Sequence, residues 1–185
     1  MTEVAIVWHR FDQPGHEFCT LARSETGAKL TGAAVLSKNS VPCCVQYTIE
    51  CDAEWRTLLC RITGYVGTKG MTHDIRREGT QWLMDGLEIP EVAGCEDIDL
   101  GFSPATNLLP IRRLALAVGK SAKIRAAWLR FPELKLELLD QSYTRISNEC
   151  YRYESGGGKF RRDLKVDERG MVVEYPDLWY AESHT

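Results

Sequence analysis

Three shortages limit what this chain can be. There is no basic surplus: 23 Lys and Arg stand against 26 Asp and Glu, a net charge of −3. Binding nucleic acid by counterion release needs a cationic excess, so no nucleic-acid partner is expected. No apolar stretch comes near the roughly 20 residues that span a bilayer, so no membrane span is expected either. The opening ten residues hold only the short apolar run at 4–8, without a basic start, and the chain therefore reads as cytoplasmic.

Cysteine is plentiful but unpaired in pattern. Cys43 and Cys44 are adjacent, while Cys19, Cys51, Cys60, Cys95 and Cys150 are scattered. With an odd total and no Cys-x-x-Cys, they read as reduced, small buried hydrophobes rather than zinc ligands or disulfides. His9, His16, His73 and His184 lie far apart and show no ligand spacing, so no metal is expected. No Gly-x-Ser-x-Gly elbow occurs, and Lys69-Gly70 lacks the upstream glycine of a phosphate loop. Nothing points to a cofactor.

What the chain does contain is alternation. Hydrophobic residues make up 44% of 185, enough for a substantial core in one domain over residues 1–185. Val4, Ile6 and Trp8 share a strand face; Phe18, Thr20 and Ala22 share another. Leu30, Gly32, Ala34 and Leu36 follow, and the small members invite a close approach to that face. Val45, Tyr47, Ile49 and Cys51 oppose Gln46, Thr48 and Glu50 in a cleanly amphipathic strand. Asp85-Gly86 is a two-residue hairpin signal. A long strand is predicted from Leu134 toward Arg145, and residues 160–166 and 171–175 form a pair joined by a loop ending in Gly170, which suits a bulge. The aromatic tail, 175–180, is expected to dock on the sheet. About a dozen such segments at antiparallel spacing cannot lie flat in one open sheet; they must curl, split or close.

One segment breaks the alternation. Residues 108–118 read as a helix, with Asn107 or Thr106 as N-cap, Pro110 in the first turn and Gly119 at the stop. Leu109, Ile111, Leu114, Leu116 and Val118 leave Arg112 and Arg113 as its only charges. A helix apolar nearly all round is a buried one, so the simplest architecture is a sheet rolled around it. Buried guanidinium groups need partners. Asp97 and Asp99, on one strand face just upstream, are the natural ones. Three roles fit. The carboxylates and arginines form a structural network; or one arginine stays free to grip an anionic or hydroxyl-rich ligand; or Asp97 and Asp99, about 7 Å apart on one face, act as a glycosidase-like pair. Arg130 shares the Trp128 face by alternation and either closes an ion pair or points into a lumen.

The run Ser103-Pro104-Ala105-Thr106-Asn107-Leu108-Leu109-Pro110-Ile111-Arg112-Arg113-Leu114 resembles the signature of the bacterial glycolipid-binding family, long catalogued as a domain of unknown function. So do Trp82-Leu83-Met84-Asp85-Gly86, Gly94-Cys95-Glu96-Asp97-Ile98-Asp99-Leu100, Ala127-Trp128-Leu129-Arg130-Phe131-Pro132, Gln141-Ser142-Tyr143-Thr144-Arg145 and Val166-Asp167-Glu168-Arg169-Gly170. The resemblance covers nearly the whole chain. It implies a mainly β protein, a spiral β-roll whose long antiparallel sheet wraps a single central helix, and a homodimer. It carries no catalytic residues. Ser103 and Ala105 stand where the family pattern has Thr and Phe, and smaller side chains there are expected to widen a nearby cavity.

The first functional expectation is non-catalytic binding of a glycolipid or other amphipathic small molecule, with Arg112, Arg113, Arg130, Asp97, Asp99, Asn107 and Trp128 as candidate ligand-binding residues. The second is a hydrolase with its site near Asp97 and Asp99. The third is a structural or interaction protein without a small-molecule ligand. A binder needs an open apolar cavity, and an enzyme needs carboxylates in a reachable cleft.

Overall fold

A computed structural model describes residues 2–185. The fold is mainly β. Fifteen strands form one sheet: β1 (Thr2–Arg10), β2 (Gly15–Ser24), β3 (Gly27–Lys38), β4 (Val41–Cys51), β5 (Thr57–Val66), β6 (Lys69–Glu78), β7 (Gln81–Met84), β8 (Leu87–Glu88), β9 (Asp97–Leu100), β10 (Ser121–Arg130), β11 (Lys135–Ser147), β12 (Cys150–Ser155), β13 (Phe160–Val166), β14 (Val172–Tyr175) and β15 (Trp179–His184). Their spatial order is 8-7-6-5-4-3-2-1-15-14-13-12-11-10-9. Two antiparallel meanders are thus joined where the first and last strands pair. Among the described residues only β9 and β10 run parallel.

That order dictates a curl. The edge strands β8 and β9 are not paired with each other, so the sheet is open. Fourteen inter-strand spacings of about 4.8 Å would put them about 67 Å apart in a flat sheet. Yet β8 ends at Glu88 and β9 begins at Asp97, and nine residue steps reach at most about 32 Å. The sheet has to bend back on itself. The contact is direct: Thr57 at the start of β5 donates its backbone N–H to the Glu96 carbonyl (2.9 Å), and its hydroxyl accepts from the Ile98 N–H (3.1 Å).

The inner faces follow the predicted parity, with one correction. Leu30, Ala34 and Leu36 of β3, and Val45, Tyr47, Ile49 and Cys51 of β4, are core residues. Gly32 is required: a Cβ there would lie 2.3 Å from the Tyr47 ring, which crosses directly over it. On β2 the buried face is Glu17, Cys19 and Leu21, not Phe18, Thr20 and Ala22; Phe18 is exposed. The hydrophobic pattern misleads here because β2 pairs Glu17 with Ala34 and Cys19 with Gly32, small residues that leave space for a carboxyl and a tyrosine ring.

The helix, α1 (Leu108–Leu114), follows a 3-10 turn at Ala105–Asn107. It is four residues shorter than the expected 108–118. Ala115 turns left-handed (φ 43°) and donates to the Ile111 carbonyl. Beyond it the chain is held by β11, since Arg145 donates a guanidinium N–H to the Leu116 carbonyl (2.9 Å) and Gly119 donates to the Arg145 carbonyl (2.8 Å). Val118 is consequently exposed rather than helical core. Between residues 97 and 111 everything but Asp99 and Gly101 is buried. Strands β2, β4, β5 and β11 all reach this segment through hydrogen bonds. The 160–166 and 171–175 strands, the Asp85-Gly86 turn with both residues at positive φ, and the joining of the aromatic tail to the sheet as β15 all match expectation.

Replacing Gly32 by Ala pushes a methyl into the Tyr47 ring. It should destabilise the protein by about 1–3 kcal/mol in urea unfolding, the usual cost of overpacking; an unchanged midpoint would contradict the close approach.

Candidate functional site

The two arginines of α1 have opposite fates. Arg113 forms a two-pronged pair with Asp97, its Nε donating to Oδ1 at 3.0 Å and its Nη2 to Oδ2. Its Nη1 also meets Glu96 at 2.7 Å, and Glu96 is shared with Arg56. Asp97 is 1% exposed and Arg113 14% at the side chain. Burial raises the Asp97 pKa, and the Arg113 hydrogen bonds pull it back. This guanidinium is spent on holding α1 to β9.

Arg112 makes no hydrogen bond or ion pair among the described residues. It lies over the Trp55 ring, 5.3 Å from its centroid, and Arg23 lies over the same ring at 5.5 Å. Burial, and then the neighbouring Arg23 charge, disfavour its ionised form. Trp55 is itself held in the left-handed region (φ 69°), a costly conformation for a bulky residue and one that tends to occur at functional sites. Trp55 is fixed by the tight Asp52–Arg56 turn, in which Trp55 donates to the Asp52 carbonyl.

Two cavities meet at Arg112. One, of about 240 Å³, has Val4, Leu21 and Trp55 as apolar walls and Arg23, Arg112, Glu168 and Arg169 around them. The other, of about 230 Å³, is mostly polar, with Arg112, Arg145, Tyr151, Asp167 and Glu168 among its walls. Asp167 accepts backbone N–H groups of Arg169 and Met171 at Oδ1 (3.0 and 2.8 Å), but its Oδ2 is buried without a hydrogen bond. The loop carrying Asp167 and Glu168 is pressed onto α1 at Gly170, where a Cβ would lie 3.2–3.3 Å from Ile111, Arg112 and Leu108. Chemically this is a cationic, aromatic junction between an apolar and a polar hollow.

The remaining expected site residues lie elsewhere. Asp99 accepts from Gln141, and burial raises its pKa to about 6. Both carboxylates of the considered catalytic pair are therefore engaged, Asp97 the more completely. Asn107 is no N-cap: it has helical φ and ψ and no capping bond. It is buried, donating to the Pro104 carbonyl and accepting from the Tyr143 hydroxyl (2.9 Å). Trp128 and Arg130 alternate with the fully buried Ala127 and Leu129, so they face away from the core. Trp128 packs over Gly101, and Arg130 pairs with Glu133 and Glu137 on the surface rather than entering a lumen. Ser103 and Ala105 do not line the two hollows beside Arg112.

Ser103 instead donates to Glu17, a residue the strand pattern did not single out. Tyr47 donates to the same Glu17 oxygen (2.6 Å), and the second oxygen is buried without a partner. Burial pushes the Glu17 pKa up to about 8 and that of neighbouring Cys19 up to about 12. Burial thus favours the neutral acid form of Glu17, against the two hydroxyls that donate to its Oε1. The signal for it lay in the parity of Glu17 with Cys19, Leu21 and Arg23. Trp55, Arg23 and Asp167 were likewise missed, because nothing local in sequence links them to Arg112.

A mainly β protein with one open, curled sheet, a single short buried helix and a cationic junction beside that helix defines the class. The chain belongs to the family described as "Putative glycolipid-binding", whose pattern matches residues 5–181. It is similar to a crystal structure of a DUF1089 family protein from Pseudomonas aeruginosa, at 33% identity over 89% of this chain and 91% of that one, with a TM-score of 0.77. It also shares its fold with a β-barrel-like protein of domain of unknown function DUF1849 from Brucella abortus, at 10% identity, 98% and 95% coverage and a TM-score of 0.57. No curated protein matches the sequence. No helix among the described residues is long and apolar enough to cross a membrane.

Two stability predictions follow from the charges. Arg113→Met strands a buried carboxylate and should cost about 3–5 kcal/mol in chemical unfolding. Arg112→Met removes an unpaired cation and should stay within about 1 kcal/mol, the scale of its cation–π contact; equal losses would refute the division. Glu17, with a pKa of about 8 folded against 4.5 for an ordinary glutamate, loses its proton first in the unfolded chain. Its stabilising contribution is complete below pH 4.5 and is lost as pH rises to about 8. Glu17→Gln should flatten the stability profile above pH 6, leaving the slope from Asp99, whose pKa is raised to about 6, at lower pH.

Proposed function

We propose that the protein binds an anionic amphipathic molecule of the glycolipid kind, without catalysis, at the junction around Arg112. The observation that carries this reading is the unpaired guanidinium on Trp55 between an apolar and a polar hollow. A half-buried guanidinium with no hydrogen-bonded or ion-paired carboxylate of its own is favoured to take an anionic partner. The apolar side beside Val4, Leu21 and Trp55 suits the start of an acyl chain. The polar side beside Asp167, Tyr151 and Arg145 suits hydroxyl groups. Hollows of this size lie below the usual range for a whole drug-sized ligand, so the junction takes a head group and its first methylenes while the rest of the chain stays outside.

In this reading the sheet is a roll wound around α1 in one domain, and the helix serves as the wedge that presents Arg112 at the open end. The family description supports the ligand class, and the curl forced by the short β8–β9 link supports the roll. A cytoplasmic setting fits seven free thiols, most of them buried; a homodimer rests on the family resemblance.

The test is titration with a single-chain anionic glycolipid and with an uncharged alkyl glucoside of the same chain length, below their micellar concentrations, read by native mass spectrometry. Arg112→Met should weaken the anionic ligand by about tenfold to a hundredfold, the worth of a charge-assisted hydrogen bond, and barely affect the uncharged one. Binding that survives Arg112→Met but is lost in Arg130→Met would overturn the placement.

A further inference from the structure

A second cluster lies on the opposite face of β1. His9 and His16 sit directly across from each other in the β1–β2 pairing. On the other side of β1 the register to β15 slips: Val7 faces Ser183 and Trp8 faces Ala181, so Glu182 is the extra residue of a bulge. A bulge re-aims the side chain it carries. Here the Glu182 carboxylate lies between the two imidazoles, with Oε1 3.2 Å from His9 Nδ1 and Oε2 3.3 Å from His16 Nε2. All three donor groups lie within 4.8 Å of one another. The Phe11 ring stacks on His9, with centroids 5.1 Å apart and planes 13° apart, which fixes the orientation of that imidazole.

We propose that His9, His16 and Glu182 form a binding site for a divalent borderline metal ion of the zinc class. Two imidazole nitrogens and one carboxylate oxygen are a donor set that such ions prefer, and three protein ligands leave a fourth position open. The distances fit. Four-coordinate bonds of about 2.0–2.1 Å place neighbouring ligand atoms about 3.3 Å apart; each imidazole nitrogen already lies 3.2–3.3 Å from one carboxylate oxygen, and all three donor groups lie within 4.8 Å, so small side-chain rotations bring them to an ion. The three ligands come from three adjacent strands, β2, β1 and β15, across the seam where the first and last strands of the sheet pair. A bound ion ties that seam together, and because the unfolded chain lacks the arrangement, binding stabilises the fold. The cluster is separate from the Arg112 junction and does not depend on the function proposed for it.

The experiment is titration of the full chain with Co²⁺ and then Zn²⁺, read by visible absorption, calorimetry and thermal melting. One equivalent of Co²⁺ per chain should bind and give tetrahedral d–d bands without thiolate charge transfer, which separates this site from the seven cysteines. Zn²⁺ should displace it and raise the melting temperature. His16→Ala, at an exposed position that does not threaten folding, should weaken binding at least about tenfold, the scale of lesions at metal sites, and abolish the thermal shift; Glu182→Gln should weaken it as well. No saturable binding below about 1 mM, a −4 kcal/mol interaction, would mean that the trio is only an ion-paired cluster. So would a thiolate spectrum, or affinity unchanged in His16→Ala. Each of these outcomes would overturn the site.

Discussion

The short link between opposite edges of the sheet governs this molecule. Nine residue steps from Glu88 to Asp97 must connect strands that a flat sheet would hold about 67 Å apart. The sheet therefore bends, and bending creates an inside. Every inward side chain, including polar ones such as Glu17 and Asp97, then has to be neutralised, paired or packed. Thr57 marks where the bend closes, bonding the chain on both sides of Asp97.

Electrostatics inside the curl are handled in three ways. Asp97 keeps its charge because Arg113 meets both of its oxygens. Glu17 is pushed by burial toward its neutral acid form between Tyr47 and Ser103. Arg112 does neither: it stays ionised against an aromatic ring, beside a second cation and at the wall of two hollows. The first two arrangements fix structure. The third leaves a cation at a cavity wall with no hydrogen bond or ion pair among the described residues. Sequence neighbours on one helix thus serve different ends, since successive residues on a helix point about 100° apart.

Much of the fold was legible because period-two alternation is a direct consequence of strand geometry. The small residues Gly32 and Ala34 announced a close approach, and Tyr47 makes it. The apolar run after Asn107 announced a buried helix, although its end was misplaced: Arg145, some thirty residues away, captures the chain after Ala115, and no local signal reports that. Phe18 misled for a related reason, since apolar bulk normally marks the inner face and here the inner face holds a carboxyl. On the site, the Asp97–Arg113 pairing could be anticipated from adjacency and burial. That Arg112 would be the one left over depended on Trp55 and on the loop at Gly170, both brought in by tertiary packing. Trp128 and Arg130 were placed by parity, and the deciding fact, that Ala127 and Leu129 form the buried face, rests on the neighbouring strands.

The division between the two arginines is most directly tested by nitrogen-15 NMR of the guanidinium Nε–H groups in the free protein and with an anionic amphiphile added. The account predicts that the Arg113 Nε–H exchanges slowly with water and does not respond to ligand, while the Arg112 Nε–H exchanges fast when free and becomes shifted and protected on addition. Equal protection of both groups in the free protein, or a response confined to Arg113, would contradict it.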